Sequence, residues 1–200
     1  MGELVLIRHG QTEWSRDRRH TGWTDVPLTE EGVRQAEGLR PLLEARDIGR
    51  AVVSPLARAV RTAELAGLGG GAADPDLREW DYGGYEGITT AEIRRGRPGW
   101  DLWRDGVVPG GPDHPGEAVE AVGARVDRVL EGVARSVGEE GAPDVALVAH
   151  GHVLRVLTAR WLGLEPGAGA LFALGTGSVS TLGREHGRPV VTSWNLAPSD

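Results

Sequence analysis

Two histidines, His9 and His150, each end an apolar run and are each followed by glycine, in Leu4-Val5-Leu6-Ile7-Arg8-His9-Gly10 and Val145-Ala146-Leu147-Val148-Ala149-His150-Gly151. Histidine can act as nucleophile, base or acid near neutral pH, because its ordinary pKa lies there. Glycine after it permits a tight turn and lets a ligand approach the backbone. Arg8 precedes His9, and Arg58 follows a third apolar run, Ala51-Val52-Val53. If the three runs are neighbouring strands, two arginines and two histidines converge on one point. Such a cluster is costly without an anion to neutralise it. Phosphate is the natural counter-charge, since arginine forks match its oxygens bidentately.

The elements that must position these residues are legible. Continuous apolar runs of this length suit strands buried on both faces, as in a parallel sheet. In open α/β sheets, ligands bind beyond the carboxyl ends of the strands, which is where both histidines fall. A helix starting at Gly151, carrying Val153, Leu154, Val156, Leu157 and Trp161, would aim free N–H groups at an anion. Thr29 reads as the N-cap of a helix over 29–46, with Val33, Ala36, Leu39, Leu42 and Leu43 at helical spacing. Ser54-Pro55 reads as N-cap and first residue of the next helix. Residues 67–73 form a loop. The 74–115 segment is irregular, and its Trp80, Tyr82, Tyr85, Trp100 and Trp103 suit a pocket wall and a satellite core equally. An amphipathic helix is expected over 117–137. Two last strands, 178–182 and 189–194, join through Glu185-His186-Gly187. The alternation implies one domain over 1–200. Its expected fold is a three-layer αβα sandwich with a mainly parallel central sheet, helices on both faces and a loop-rich lid at about 74–115.

Composition narrows the chemistry. The 200 residues include no cysteine and no lysine, so disulfides, thiolate metal sites and Schiff-base catalysis are excluded. Any anion must be held by arginine, histidine or backbone N–H groups. A formal charge of −7 makes a poor generic nucleic-acid binder. The apolar run at 4–7 is too short for a signal-peptide core or a membrane span, and Leu6 stands where a myristoylation start requires Ser or Thr. The reading is a cytoplasmic protein with no membrane or nucleic-acid partner. No residue spacing calls for a metal.

Four segments then carry a resemblance. Leu6-Ile7-Arg8-His9-Gly10-Gln11-Thr12-Glu13 resembles the signature of the histidine phosphatase (phosphoglycerate mutase-like) superfamily. Ser54-Pro55-Leu56-Ala57-Arg58-Ala59-Val60-Arg61-Thr62-Ala63 resembles its second motif. Leu77-Arg78-Glu79 with Gly83-Gly84-Tyr85-Glu86-Gly87 is similar to the third, and Val148-Ala149-His150-Gly151-His152 to the fourth. One RHG triplet alone is weak; four ordered motifs are specific. The resemblance implies His9 as nucleophile, with Arg8, Arg58 and His150 holding the transferring phosphoryl group. It implies Glu79 as proton donor, preferred over Asp81 and Glu86 by motif position. It further implies substrate contacts from Ser15, Thr21, Gly22 and Gly151, and no cofactor. The branch it resembles acts on sugar phosphates, including sedoheptulose bisphosphatase-like proteins, so a small phosphorylated metabolite is the expected partner.

The chain departs from the pattern at Ser15, where many relatives carry Asn, and at Gly116-Glu117-Ala118, where a Ser is lost after an insertion-like Pro112-Asp113-His114-Pro115. Arg61 is expected on the helix surface, and His114, His152 and His186 have no motif support for catalysis. Three alternatives remain open. A bisphosphoglycerate-dependent phosphoglycerate mutase resembles the family too, but the segment after the third motif is short here, which favours water access. A phosphoprotein phosphatase needs a more open site. A non-catalytic phospholigand-binding module would lack the nucleophile or acid. A homodimer is the base-rate expectation for assembly.

Overall fold

The computed structural model describes residues 2–69, 71–133, 137 and 139–198. Six strands form its sheet: β1 (Leu4–Arg8), β2 (Ile48–Val53), β3 (Ala72–Ala73), β4 (Asp144–Ala149), β5 (Val179–Glu185) and β6 (Arg188–Leu196). Their order is β3-β2-β4-β1-β5-β6. β1 to β4 run parallel, and β5 and β6 add an antiparallel edge. The β5–β6 turn uses positive φ at His186 and Gly187, the geometry that two-residue hairpins require.

Strand alternation sorts the core into two faces. Leu4, Leu6, Val145 and Leu147 pack with α7 (Val119–Val133) and α8 (Gly151–Trp161). Val5, Ile7, Ala146 and Val148 pack with Leu39, which joins α2 (Glu30–Gly38) to α3 (Arg40–Glu44), with Leu43 of α3 and with Ala59 and Ala63 of α4 (Ala57–Leu65). The three-layer reading therefore holds, and the aromatic segment joins the α7/α8 side: Trp80, Tyr82, Tyr85 and Trp100 are buried in that core. Among the described residues, no helix is long and apolar enough to cross a membrane.

Several local expectations need correction. The helix expected over 29–46 is two helices meeting at the buried Leu39. Pro41 has no N–H to donate to the carbonyl four residues back, so the helix restarts there. Ser54 is not an N-cap. The α4 helix begins at Ala57, capped from outside by the Asp25 carboxylate, which accepts its N–H at 2.9 Å. Ala72–Ala73, placed in a loop, pairs with Val52 and Val53. The 74–115 segment is less irregular than expected. It holds α5 (Thr90–Gly96), opened by a Thr89/Glu92 capping box, and α6 (Leu102–Asp105), capped by Asp101. The helix expected over 117–137 starts at Val119; residues 134–136 of that expectation lie outside the described residues.

Candidate active site

The sheet register brings the motifs together. Arg8 is level with Ala149, and Val53 with Val148. His9, Ser54 and His150 thus emerge at one end of three adjacent parallel strands. The His9 N–H donates to Ala149 O, and the Ser54 N–H to Val148 O. A short helix, α1 (Glu13–Arg16), follows His9. Gly10 is obligatory, since a Cβ there would overlap the Gly32 carbonyl.

His9 is 4% exposed and lines a cavity of about 390 Å³. Its Nδ1 lies 2.7 Å from Gly10 O. A carbonyl only accepts, so Nδ1 carries the proton and Nε2 holds the lone pair. Burial first, then the charges of Arg58 and Arg8, holds the imidazole well below the ordinary histidine range, so the ring is neutral. Nε2 has no hydrogen bond among the described residues and is open to solvent.

His150 stands behind it, ring centroids 5.1 Å apart. Arg58 Nε donates to its Nδ1 at 3.1 Å, which places its proton on Nε2, 2.7 Å from Ser54 Oγ. Burial, then Arg58, holds this imidazole neutral as well. The rest of the fully buried Arg58 guanidinium donates to the carbonyls of Thr21, Gly22 and Thr24. Arg58 and His150 therefore sit beneath the cavity, not on its wall. Arg8 does line it. It donates to Leu174 O, while its buried Nε has no acceptor among the described residues. Burial lowers the pKa of both arginines, and Glu79 is the leading group acting the other way.

Glu79 also faces the cavity. Its Oε1 accepts the N–H groups of Trp80 and Val153 at 2.9 Å each, and its Oε2 that of His152 at 3.0 Å. Glu79 thus occupies N–H groups that α8 was expected to aim at an anion. A carboxylate offers about four lone-pair sites, so one on Oε2 stays open. The segment bearing it is clamped by Arg125, which donates to the carbonyls of Asp76, Arg78 and Glu79 and pairs with Glu117 at 3.0 Å. This fixes the conformation of the departing Gly116-Glu117 loop, where Gly116 N–H also meets Asp81 Oδ2.

The remaining expected contacts divide. Ser15 and Thr21 line the cavity, but the Ser15 hydroxyl is engaged with Thr12 in a capping box. The Gly22 N–H is turned to the Glu86 carboxylate. Gly151 lines the cavity, and a Cβ there would press within 3.2 Å of the Arg8 guanidinium carbon. Arg61 lies at the surface, paired with Glu64. His114 does not reach the cavity. It gathers with Asp81 and Glu86, their ligand-type atoms all within 4.8 Å of one another, the one such trio among the described residues.

Sequence reasoning missed His20, His152 and Ser54. Ser54 was legible as the end of β2, one strand from His150. His20 and His152 carried only the signal of lying inside motif segments. Five arginines line the cavity (Arg8, Arg18, Arg19, Arg94 and Arg155), and none forms an ion pair among the described residues. In a chain of net charge −7, this concentrates positive potential where an anion would enter.

The family model described as histidine phosphatase superfamily (branch 1) matches residues 4–197. An acid phosphatase of Mycobacterium tuberculosis is 41% identical over 186 residues, covering 92% of this chain and 87% of that protein. The sedoheptulose 1,7-bisphosphatase of Saccharomyces cerevisiae is 36% identical over 194 residues, covering 80% of this chain and 67% of the enzyme. A mycobacterial glucosyl-3-phosphoglycerate phosphatase, solved with VO3, superposes with a TM-score of 0.84 at 33% identity, covering 98% of this chain and 100% of that one.

Proposed function

The chain belongs to the histidine phosphatase superfamily, branch 1, and as a phosphomonoesterase of that family we propose that it hydrolyses small sugar phosphates through a phosphohistidine on Nε2 of His9. The observation that carries this reading is the state of the His9 ring. Its proton is committed to Gly10, its charged form is disfavoured by burial, and its lone pair opens on the cavity beside Arg8.

In the first step Nε2 donates its pair to phosphorus. The bond from phosphorus to the leaving oxygen breaks with its electrons on that oxygen, which takes from Glu79 Oε2 a proton that the bound phosphomonoester monoanion has passed to this carboxylate. In the second step water attacks phosphorus and returns a proton to Glu79. The P–N bond breaks with its pair returning to Nε2, and inorganic phosphate leaves with that proton, restoring the Glu79 carboxylate. Arg8 meets the phosphoryl oxygens directly through the N–H groups it has free. Arg58 stabilises the same charge from beneath, through the field of a buried guanidinium that has no carboxylate partner among the described residues. The arginines supply the positive charge, so neither step calls on a metal. Two of the three relatives above are named for phosphorylated sugars or glucosyl compounds, which supports that substrate class here.

The test is phosphate release from phenyl phosphate, sugar mono- and bisphosphates, phosphoglycerates and a phosphopeptide, by wild type and His9→Ala. Release by the wild type alone, with acid-labile phosphate trapped on the protein, is the expected result. Interconversion of 2- and 3-phosphoglycerate without phosphate release would replace hydrolysis with mutase chemistry.

A further inference from the structure

Five rings form a continuous arc along one wall of the cavity: Trp100, His20, Tyr82, His152 and Trp103. Successive centroids are 5.6, 4.9, 5.8 and 5.3 Å apart. Two of the five are histidines that the hydrolytic steps above do not use.

Their partners fix opposite tautomers. His20 Nδ1 lies 2.6 Å from Ile88 O, which can only accept, so Nδ1 holds the proton and Nε2 the lone pair. His152 Nδ1 lies 2.6 Å from the Tyr82 hydroxyl. Tyr82 is buried, and its O–H has no other acceptor among the described residues. The phenol therefore donates, Nδ1 accepts, and the His152 proton sits on Nε2. Burial leads in holding both rings neutral. It also keeps the Tyr82 hydroxyl protonated, well above the ordinary tyrosine range. Neither Nε2 has a protein partner among the described residues, and neither is sealed from solvent. The wall thus presents one acceptor and one donor, set between aromatic faces.

We propose that His20 and His152 form a hydroxyl-recognising pair for the leaving group, Nε2 of His20 accepting from one substrate hydroxyl and Nε2–H of His152 donating to another. The leaving-group side is identified by Glu79: its Oε2 accepts the backbone N–H of His152, so the proton donor and the His152 ring share one wall. Trp103 offers an apolar face to the C–H surface of a polyol, and the buried Trp100 backs His20. Arg155, stacked 4.7 Å over Trp103, holds that ring in place. The inference rests on the phosphatase reading and adds the residues that select a polyhydroxylated ester over an aryl one.

His20→Asn and His152→Asn test it. In each, the shorter amide keeps a polar atom near the Nδ1 position, for Ile88 O or the Tyr82 hydroxyl, and removes the Nε2 group. The quantity read is the ratio of kcat/KM for ribose 5-phosphate and fructose 6-phosphate to kcat/KM for phenyl phosphate on the same preparation. That ratio is insensitive to the fraction of folded enzyme. It should fall about tenfold in each variant, the value of roughly one neutral hydrogen bond. Ratios within threefold of wild type in both variants overturn the pair. So does a wild type that turns over phenyl phosphate and no polyol phosphate. A wild type inert toward every phosphomonoester instead overturns the hydrolytic reading, and this inference with it.

Discussion

Glu79→Gln is the substitution that most sharply tests the geometry, because the carboxylate holds structure and proton together. Glu79 accepts three backbone N–H groups at 2.9 to 3.0 Å, two of them from the first turn of α8. A glutamine can put its oxygen where Oε1 is and keep the bonds to Trp80 and Val153. Its NH2 then points donor to donor at the His152 N–H. One charge-assisted hydrogen bond is lost, about 1.5–3 kcal/mol. The favourable charge at the α8 N-terminus goes too, about 0.3–1 kcal/mol. The sum, about 2–4 kcal/mol, predicts a Tm lower by roughly 4–16 °C for a domain of this size. Scanning calorimetry measures it. Activity is then read below the transition on two leaving groups. An activated aryl phosphate such as a nitrophenyl ester, whose leaving oxygen needs no proton, should lose little beyond the fraction unfolded. A sugar phosphate should lose a further 10²–10⁴-fold, the usual range for general acid catalysis. An unchanged Tm would refute the claim that Glu79 caps α8. Equal losses on the two leaving groups would remove it from the proton-donor role.

Four further outcomes follow from the same structure. His9→Ala should abolish turnover while circular dichroism and the melting transition stay native. Acid should destabilise the protein: His9 and His150 have native pKa values well below the unfolded value, so the unfolded chain binds protons that the native state refuses as pH falls through about 6.5. Each should cost on the order of 1 kcal/mol between pH 7 and 5.5, and urea titrations at the two pH values should show a shallower loss in His9→Ala. Ser54→Ala strips the acceptor from His150 Nε2–H, so chemical denaturation should show a loss of about 1–3 kcal/mol, with a fall in kcat as His150 loosens behind His9. Arg125→Ala leaves Glu117 and three carbonyls without their donor, and should cost about 3–5 kcal/mol; wild-type stability would show that the clamp does not hold the Glu79 segment.

The sequence by itself determined the sheet's central strands and the positions of His9 and His150 at their ends. The physical reason is that buried parallel strands must be continuously apolar, and a polar residue with glycine marks where each one surfaces. The amphipathic faces of α7 and α8 were legible for the same reason. Local chemistry also held signals that were passed over, such as the Thr89/Glu92 capping box and the arginine at 125 between Val122 and Val129 on an inward face.

Partnerships between distant segments were decided by the tertiary structure alone. Ser54 fits a helix cap locally, yet it serves a histidine 96 residues away. Asp25 caps α4 from another loop, and Glu79 caps α8 across 73 residues. The tautomers of His9, His20, His150 and His152 depend on which acceptor or donor each ring meets, and no spacing rule encodes that. Periodicity reports which side of an element faces inward; what waits there is set by how the layers close.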